Sequence, residues 1–459
     1  MATVFVIGAG PAGLFAAQKI AQAGHETIIF NRDIKPGGLA EYGIYPVKDK
    51  MKVGLRKQFE KVLALPNVHY FGHVPVGANS PVTVDALRSL CPSALVFAVG
   101  AQGTKKLGMA GEDALGVYSA KDFVYYYNQL PPFAGLDFST GKRVAIVGMG
   151  NVMVDIARWL LLDSPNRDVE EVVVVARRGP LEAKFDDKEF AHIHMHLDRK
   201  AFQEELLRVK DRMEAVAQDI ARVPEETFVC LKKFPDEPLV KPRLTFRFLC
   251  SPCAITTGPD GRIAKLTLAE NYLLKRDESI ASKPTGETTE IDVDTLIFAI
   301  GDSHDPSLGI PFASGSYACN PDEAALEAKY QVFDPHTAAI CEGCFLVGWA
   351  RKPSEGLVGI ARHDGETGAA HVLEYLSRTS VGAAGVPAQS SAQHCASVEE
   401  IAQFLEQRDM RAVTKADLPF LRAAEEQQAK RRGLAFFKFS DDEEMLSAIE
   451  QAKAAAVGT

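Results

Sequence analysis

The chain has 459 residues, 24% of them charged and 46% hydrophobic, which is ordinary for a globular protein of two or three domains and excludes wholesale disorder, collagen-like repeats and coiled coil. No apolar run approaches the ~18 residues of a membrane span, and eight cysteines are too few for a disulfide scaffold, so a reducing cytoplasm is the expected compartment. A net charge of −9 argues against nucleic acid as the main partner.

Val4 to Ile7 is a short apolar run that reads as a first strand rather than a signal peptide. Gly8-Ala9-Gly10-Pro11-Ala12-Gly13 follows, then a helix over 14–21 and a second strand over 27–30. A glycine turn between strand and helix is a dinucleotide fingerprint: the first glycine makes the turn, the second admits a pyrophosphate to the backbone, the third lets helix and strand pack closely. The helix N-terminus then offers N–H groups and partial positive charge to the phosphates. The acid that usually ends the second strand is replaced by Asn31, which can still hydrogen-bond a ribose hydroxyl.

Further along, residues 50–64 and 120–128 read as helices, the latter capped by Ser119. Strands are expected at 68–71 and 94–99. A second strand–turn–helix begins at Arg143, with Gly148-Met149-Gly150-Asn151 leading into a helix over 152–162. Its third small position is Met153, and the strand over 171–176 ends in Arg177-Arg178. Two guanidinium groups there suit a 2′-phosphate and so select NADP(H); the alternative is a solvated basic turn. A charged helix with a solvated face is expected over 199–222, strands at 243–249, 263–269, 295–300 and 345–349, and a helix over 356–376. A Ser/Ala/Gly linker over 379–393 precedes two polar helices near 397–407 and 415–430.

Two nucleotide-binding units suggest FAD held by the first and NADPH presented by the second, with hydride passing between the cofactors. The motifs Gly148-Met149-Gly150-Asn151-Val152, Arg177-Arg178-Gly179-Pro180, Phe246-Arg247-Phe248-Leu249, Gly111-Glu112-Asp113 and Gly348-Trp349 together resemble adrenodoxin-reductase-type ferredoxin–NADP reductases. The resemblance implies an α/β fold of two Rossmann-like three-layer domains, glutathione-reductase-like. The FAD domain would occupy 1–105 and 323–378, with an NADP domain inserted at 106–322 and a linker and helical extension over 379–459. It also implies site residues. Gly8, Gly10, Ala12, Gly13, Asn31, Gly38, Leu39, Val74, Trp349, Gly356, Leu357 and Val358 would hold FAD. Lys105, Met149, Gly150, Asn151, Val152, Arg177, Arg178, Glu189 and Gly356 would hold NADP. Glu189 and Trp349 would be the catalytic pair, although core packing for Trp349 and a surface position for Glu189 stay open.

The implied activity is electron transfer from NADPH to a one-electron iron–sulfur carrier, an acidic ferredoxin-like protein. Alternatives are a flavin subunit of a larger complex, like glutamate synthase small chains, or a non-catalytic redox sensor. A start directly at the first strand argues against the subunit reading. Since the chain is itself acidic, docking needs a local basic patch: Lys48, Lys50, Lys52, Arg56 and Lys57, or Arg243 with Arg247. No metal site is expected. The pairs Cys250/Cys253 and Cys341/Cys344 have C-x-x-C spacing but read first as structural thiols, with zinc, an iron–sulfur centre or a redox dithiol as alternatives. The Tyr125-Tyr126-Tyr127 run reads as helix surface and domain interface.

Overall fold

The computed structural model describes residues 1–234, 238–277, 279–322, 326–353, 358–380 and 395–457. Its chain divides into two units, one made of residues 1–104, 125–135 and 302–459, the other of 105–124 and 136–301.

The first unit is built on a seven-stranded sheet. Its spatial order is Gln331–Asp334, Ala339–Leu346, Ala94–Phe97, Thr3–Ile7, Glu26–Phe30, Val68–Gly72, Val413–Thr414. The five inner strands run parallel and the two edge strands antiparallel. Parallel strands must be covered on both faces, and the residues comply. Val4, Val6, Ile29 and Val96 pack under the helices Pro11–Gln22 and Val358–Ser380, whereas Phe5, Ile28, Phe30, Leu95 and Phe97 fill the other face.

The second unit repeats the plan with five parallel strands in the order Val117–Ser119, Thr295–Phe298, Arg143–Val147, Glu171–Ala176, Arg243–Phe248. One face carries an antiparallel sheet, Cys250–Thr257, Ile263–Arg276 and Ser279–Asp292. Ile255, Leu266 and Leu268 of that sheet pack on Ala145, Val147, Val173 and Val175. The α/β expectation with parallel sheets is borne out in both units. The repeat extends to atomic detail. A Cβ on Gly8 would lie 2.5 Å from the Ala98 carbonyl oxygen, and one on Gly148 would lie 2.2 Å from that of Ala299; both glycines have φ above +100°. In each unit the chain turns against the end of the neighbouring strand, where only glycine fits.

Several expected elements are corrected. The helix over 152–162 is α-helical only from Asn151 to Arg158 and continues as a π turn, Trp159–Asp163. The charged helix stops at Glu214, and it buries Phe202, Glu205, Leu206, Val209 and Met213. Its charges are not simply solvated: Arg208 and Arg212 both reach Glu270, at 2.6 and 2.8 Å. Tyr125 and Tyr127 are buried rather than on a helix surface, their rings making tilted contacts with Phe133 at 5.1 Å and Tyr45 at 6.1 Å. The strand Ser279–Asp292 and the helix Asp442–Val457 were not expected. That helix packs Met445, Leu446 and Ile449 with Ile34 and Val413, so the C-terminal extension belongs to the first unit's core. Most of the expected linker lies outside the described residues.

Candidate functional site

In the first unit the helix Pro11–Gln22 starts at Gly10 with no side-chain hydrogen bond at its N-cap. No capping side chain therefore accepts from its first N–H groups. The two following glycines differ in kind. A Cβ on Gly13 would strike the Gly8 carbonyl oxygen at 2.1 Å, whereas a Cβ on Gly10 meets nothing within 4 Å. Gly13 is closed by the fold and Gly10 faces open space, the arrangement a phosphate needs to reach the helix end. Gly38 comes over from its own turn, its Cβ position 3.2 Å from the Gly10 Cα, and a Cβ on Gly348 would lie 2.6 Å from that of Ala12. The structure thus brings Gly8, Gly10, Ala12, Gly13, Gly38 and the Gly348–Ala350 turn, which carries Trp349, to one helix N-terminus. These residues fit a flavin dinucleotide.

Asn31 is a correction. Expected to hold a ribose hydroxyl, it is buried and its amide serves the protein: Oδ1 accepts from the Ala9 N–H at 2.9 Å, and Nδ2 donates to the Asp33 carbonyl at 2.8 Å. It fastens the glycine turn to the second strand. Val74 is fully buried and its N–H donates to the Asn31 carbonyl at 2.8 Å. Leu39 opens the short helix Leu39–Tyr42 and packs beside Tyr42, Tyr125 and Leu130. Val358 opens the helix that packs on the glycine-turn helix. Gly356 and Leu357 lie outside the described residues.

Two fastenings hold the segments around this helix end. Asp364 accepts the Gly348 N–H at 2.5 Å and pairs with Arg351, whose guanidinium lies 4.2 Å from the Tyr330 ring centre. Glu41, in the helix next to Gly38, is buried among Lys35, Arg56 and Lys438, with carboxylate distances of 3.6, 2.7 and 2.9 Å. Burial alone would raise the Glu41 pKa, but the three cations outweigh it and hold the carboxyl well below its usual range.

In the second unit the helix Asn151–Arg158 starts at Gly150, also without a side-chain cap, and a Cβ on Gly150 likewise meets nothing within 4 Å. Val152 is exposed, and Met153 is fully buried, so the departure from a small residue is absorbed by the core. The Met149 carbonyl accepts the Lys184 N–H at 2.9 Å, and Asn151 Oδ1 accepts the Asp186 N–H at 2.7 Å. Both bonds hold the segment that carries Glu189, half-buried in the helix Asp187–Phe190, beside the turn. Arg177 is exposed and Arg178 half-exposed, and among the described residues neither guanidinium has a carboxylate partner. Their backbone is fixed instead: the Arg177 carbonyl accepts from Asn271 Nδ2 at 3.0 Å and the Arg178 carbonyl from the Leu249 N–H at 3.2 Å. A pair of free cations on a rigid turn fits a phosphate. Lys105 is exposed.

The family described as pyridine nucleotide-disulphide oxidoreductase matches residues 2–219. NADPH-ferredoxin reductase FprA of Mycobacterium leprae is 29% identical over 450 residues, covering 90% of this chain and 91% of the relative. The mitochondrial NADPH:adrenodoxin oxidoreductase of Salvelinus fontinalis is 28% identical over 473 residues, 96% of this chain and 90% of the relative. The solved structure of Mycobacterium tuberculosis FprA in complex with NADPH superposes with a TM-score of 0.78 at 26% identity, covering 98% of this chain and 99% of that one. The chain is a homologue of the adrenodoxin-reductase-type ferredoxin–NADP reductases. The resemblance drawn from its motifs therefore holds along nearly its whole length.

Other expectations of this homologue change in the structure. Two members of the first basic patch are committed: Lys52 is buried and donates to Asn128 at 3.0 Å, and Arg56 holds Glu41 through two bonds of 2.7 Å. Arg243 pairs with Glu171 at 3.0 Å and Arg247 with Glu205 at 3.3 Å. Lys50 and Lys57 remain exposed. All eight cysteines are free thiols, and the two C-x-x-C pairs fall in different units. Burial pushes the Cys250 thiol up to about 11 and raises Cys344 as well, away from thiolate reactivity. Among the described residues the one convergent His/carboxylate group is Glu327, His371 and Glu374, and Arg378 already holds both Glu327 oxygens at 3.2 Å. Asp364 and Asn271 were missed, as was the fastening role of Lys438, which with Phe439 reads in the sequence only as part of the resemblance. For Asn271 a signal existed: Glu270-Asn271 interrupts an alternating apolar strand, and both are buried.

Proposed function

We propose that the chain is an FAD-dependent oxidoreductase that moves electrons from NADPH to a one-electron iron–sulfur carrier of the ferredoxin or adrenodoxin type. The observation that carries this reading is the pair of open, uncapped glycine turns, one in each unit, of which only the second is followed by two unpaired arginines. The relatives named for NADPH and for ferredoxin or adrenodoxin support it. FAD and NADPH supply the redox chemistry when bound, a two-electron hydride entering and single electrons leaving.

The protein's part is binding, orientation and specificity. N–H groups at the start of Pro11–Gln22 receive the FAD pyrophosphate, with Gly10, Ala12, Gly38 and Leu39 around it. The Gly348–Trp349 turn, with Gly356, Leu357 and Val358 after it, borders the flavin ring. Met149, Gly150, Asn151 and Val152 receive the NADP pyrophosphate, Arg177 and Arg178 its 2′-phosphate, with Lys105 near it. Glu189 is the acid placed at the nicotinamide. The FAD domain is the first unit, which takes in 125–135, 302–322 and the C-terminal extension beyond the bounds expected from the sequence, and the NADP domain is the second unit, 105–124 and 136–301. The carrier is acidic and meets a face that includes the exposed Lys50 and Lys57.

Among the described residues no helix is long and apolar enough to cross a membrane; eight free thiols support a reducing, cytoplasmic setting. Acid extraction of the purified protein tests the cofactor assignment: one FAD per chain is expected, and FMN or no flavin contradicts it.

A further inference from the structure

The turn that carries Trp349 is fastened on one side by Asp364. On another it meets His304, a histidine only 2% exposed, just after the short strand Asp302–Ser303. The Tyr317 main-chain N–H donates to His304 Nδ1 at 3.1 Å, and His304 Nε2 lies 2.7 Å from the Trp349 carbonyl oxygen. A main-chain N–H only donates and a carbonyl only accepts. Nδ1 is therefore the bare nitrogen, Nε2 carries the hydrogen, and the two bonds select one neutral tautomer. The Tyr317 ring stacks on the imidazole, with centres 4.4 Å apart and planes 19° apart. The Tyr317 hydroxyl is itself tied to the Asp305 carbonyl at 2.8 Å. Burial lowers the His304 pKa, in the direction the geometry already requires.

We propose that His304 is a positioning residue for Trp349: its Nε2–H fixes the carbonyl of the indole-bearing turn and thereby the place of that turn against the flavin. This rests on the reading above that the Gly348–Trp349 turn borders the flavin ring. Both bonds of the imidazole go to main chain, from two separated segments, and a ring packed only to fill space would need neither. An aliphatic side chain would fill the volume but remove the Nε2–H that faces the Trp349 carbonyl.

The chain has two tryptophans, so W159F leaves Trp349 as the sole tryptophan. In that background H304Q keeps an N–H within reach of the Trp349 carbonyl, and H304L removes it. With protein as purified, H304L is expected to shift Trp349 emission, and H304Q to restore it. H304L is also expected to lower kcat about tenfold, while the KM for NADPH stays within about twofold because the arginines are untouched. Unchanged emission and kcat in folded H304L, with only a lower Tm, would overturn the proposal and leave His304 as packing. If H304L does not fold, H304N replaces it, since asparagine can accept from Tyr317 but is too short for Trp349; the same two outcomes apply. A protein without FAD would sink the functional reading yet leave the emission test standing. Bound FAD with unmoved emission would sink the His304 assignment alone.

Discussion

Lys438 donates to Glu41 twice, to its carboxylate at 2.9 Å and to its main-chain carbonyl at 2.9 Å, across 397 residues of sequence. The ammonium also lies 4.9 Å from the centre of the Tyr42 ring. Through this contact the C-terminal extension holds the helix Leu39–Tyr42, whose N-cap Gly38 lies over Gly10.

Removing one member of a buried charge group costs roughly 3–5 kcal/mol. K438M leaves Lys35 and Arg56 on Glu41, so a loss near the lower end, about 3 kcal/mol, is expected in denaturant unfolding. FAD should also dissociate faster, which flavin fluorescence would follow. Unfolding and FAD release both unchanged would mean the extension does not support the site.

The same pair sets the sign of a pH dependence. Glu41 is held below its ordinary value of 4.5, so its stabilisation is present above that pH and lost as pH falls through and below it. Burial pulls Lys438 down to about 8 from 10.5, against the attraction of Glu41. The unfolded chain therefore binds more protons between those values, and this lysine makes stability rise with pH there. Thermal unfolding of wild type should weaken more steeply than that of E41Q below about pH 4.5. Parallel curves for the two proteins would contradict the assignment.

Gly10 and Gly13 should separate binding from folding. G13A pushes a Cβ into the Gly8 carbonyl, and overpacking of that kind costs roughly 1–3 kcal/mol. G10A meets no protein atom, so its stability without FAD should stay within about 0.5 kcal/mol of wild type. Its FAD affinity should nonetheless fall, measured by flavin titration. Equal FAD affinity in G10A and wild type would remove the phosphate from that turn.

R177A and R178A each remove one charge-assisted contact worth roughly 1.5–3 kcal/mol. kcat/KM for NADPH should fall about tenfold or more, and that for NADH should change little. An equal loss with both nucleotides would make the arginines structural.

The docking face can be read from which lysines are free. K50E and K57E should slow reduction of an acidic ferredoxin at low salt and do little at 1 M salt, where the Debye length is about 3 Å. R56E should act differently, lowering stability, because Arg56 is bound to Glu41. If K50E and K57E leave ferredoxin reduction unaltered, the carrier docks elsewhere.

What the sequence made legible was local. Gly8 to Gly13, Gly148 to Gly150 and Arg177-Arg178 announce themselves because a strand, a turn and a helix succeed one another within a few residues. What it hid depends on partners far away in the chain. Asn31 looked like a ligand group at the end of a strand, and only the fold shows Ala9 and Tyr70 around its amide. Lys52 and Arg56 looked like a patch, and only the fold supplies Asn128 and Glu41. The strand Ser279–Asp292 has polar residues at most positions and little apolar alternation, so nothing in it signalled pairing with Ile263–Arg276.

The most direct test of the account is an anaerobic titration of the purified yellow protein with NADPH, followed by addition of an oxidised ferredoxin. The expected result is that NADPH bleaches the flavin absorbance and the ferredoxin restores it while becoming reduced itself. A flavin that NADPH does not bleach, or one that stays bleached in the presence of oxidised ferredoxin, would contradict the account.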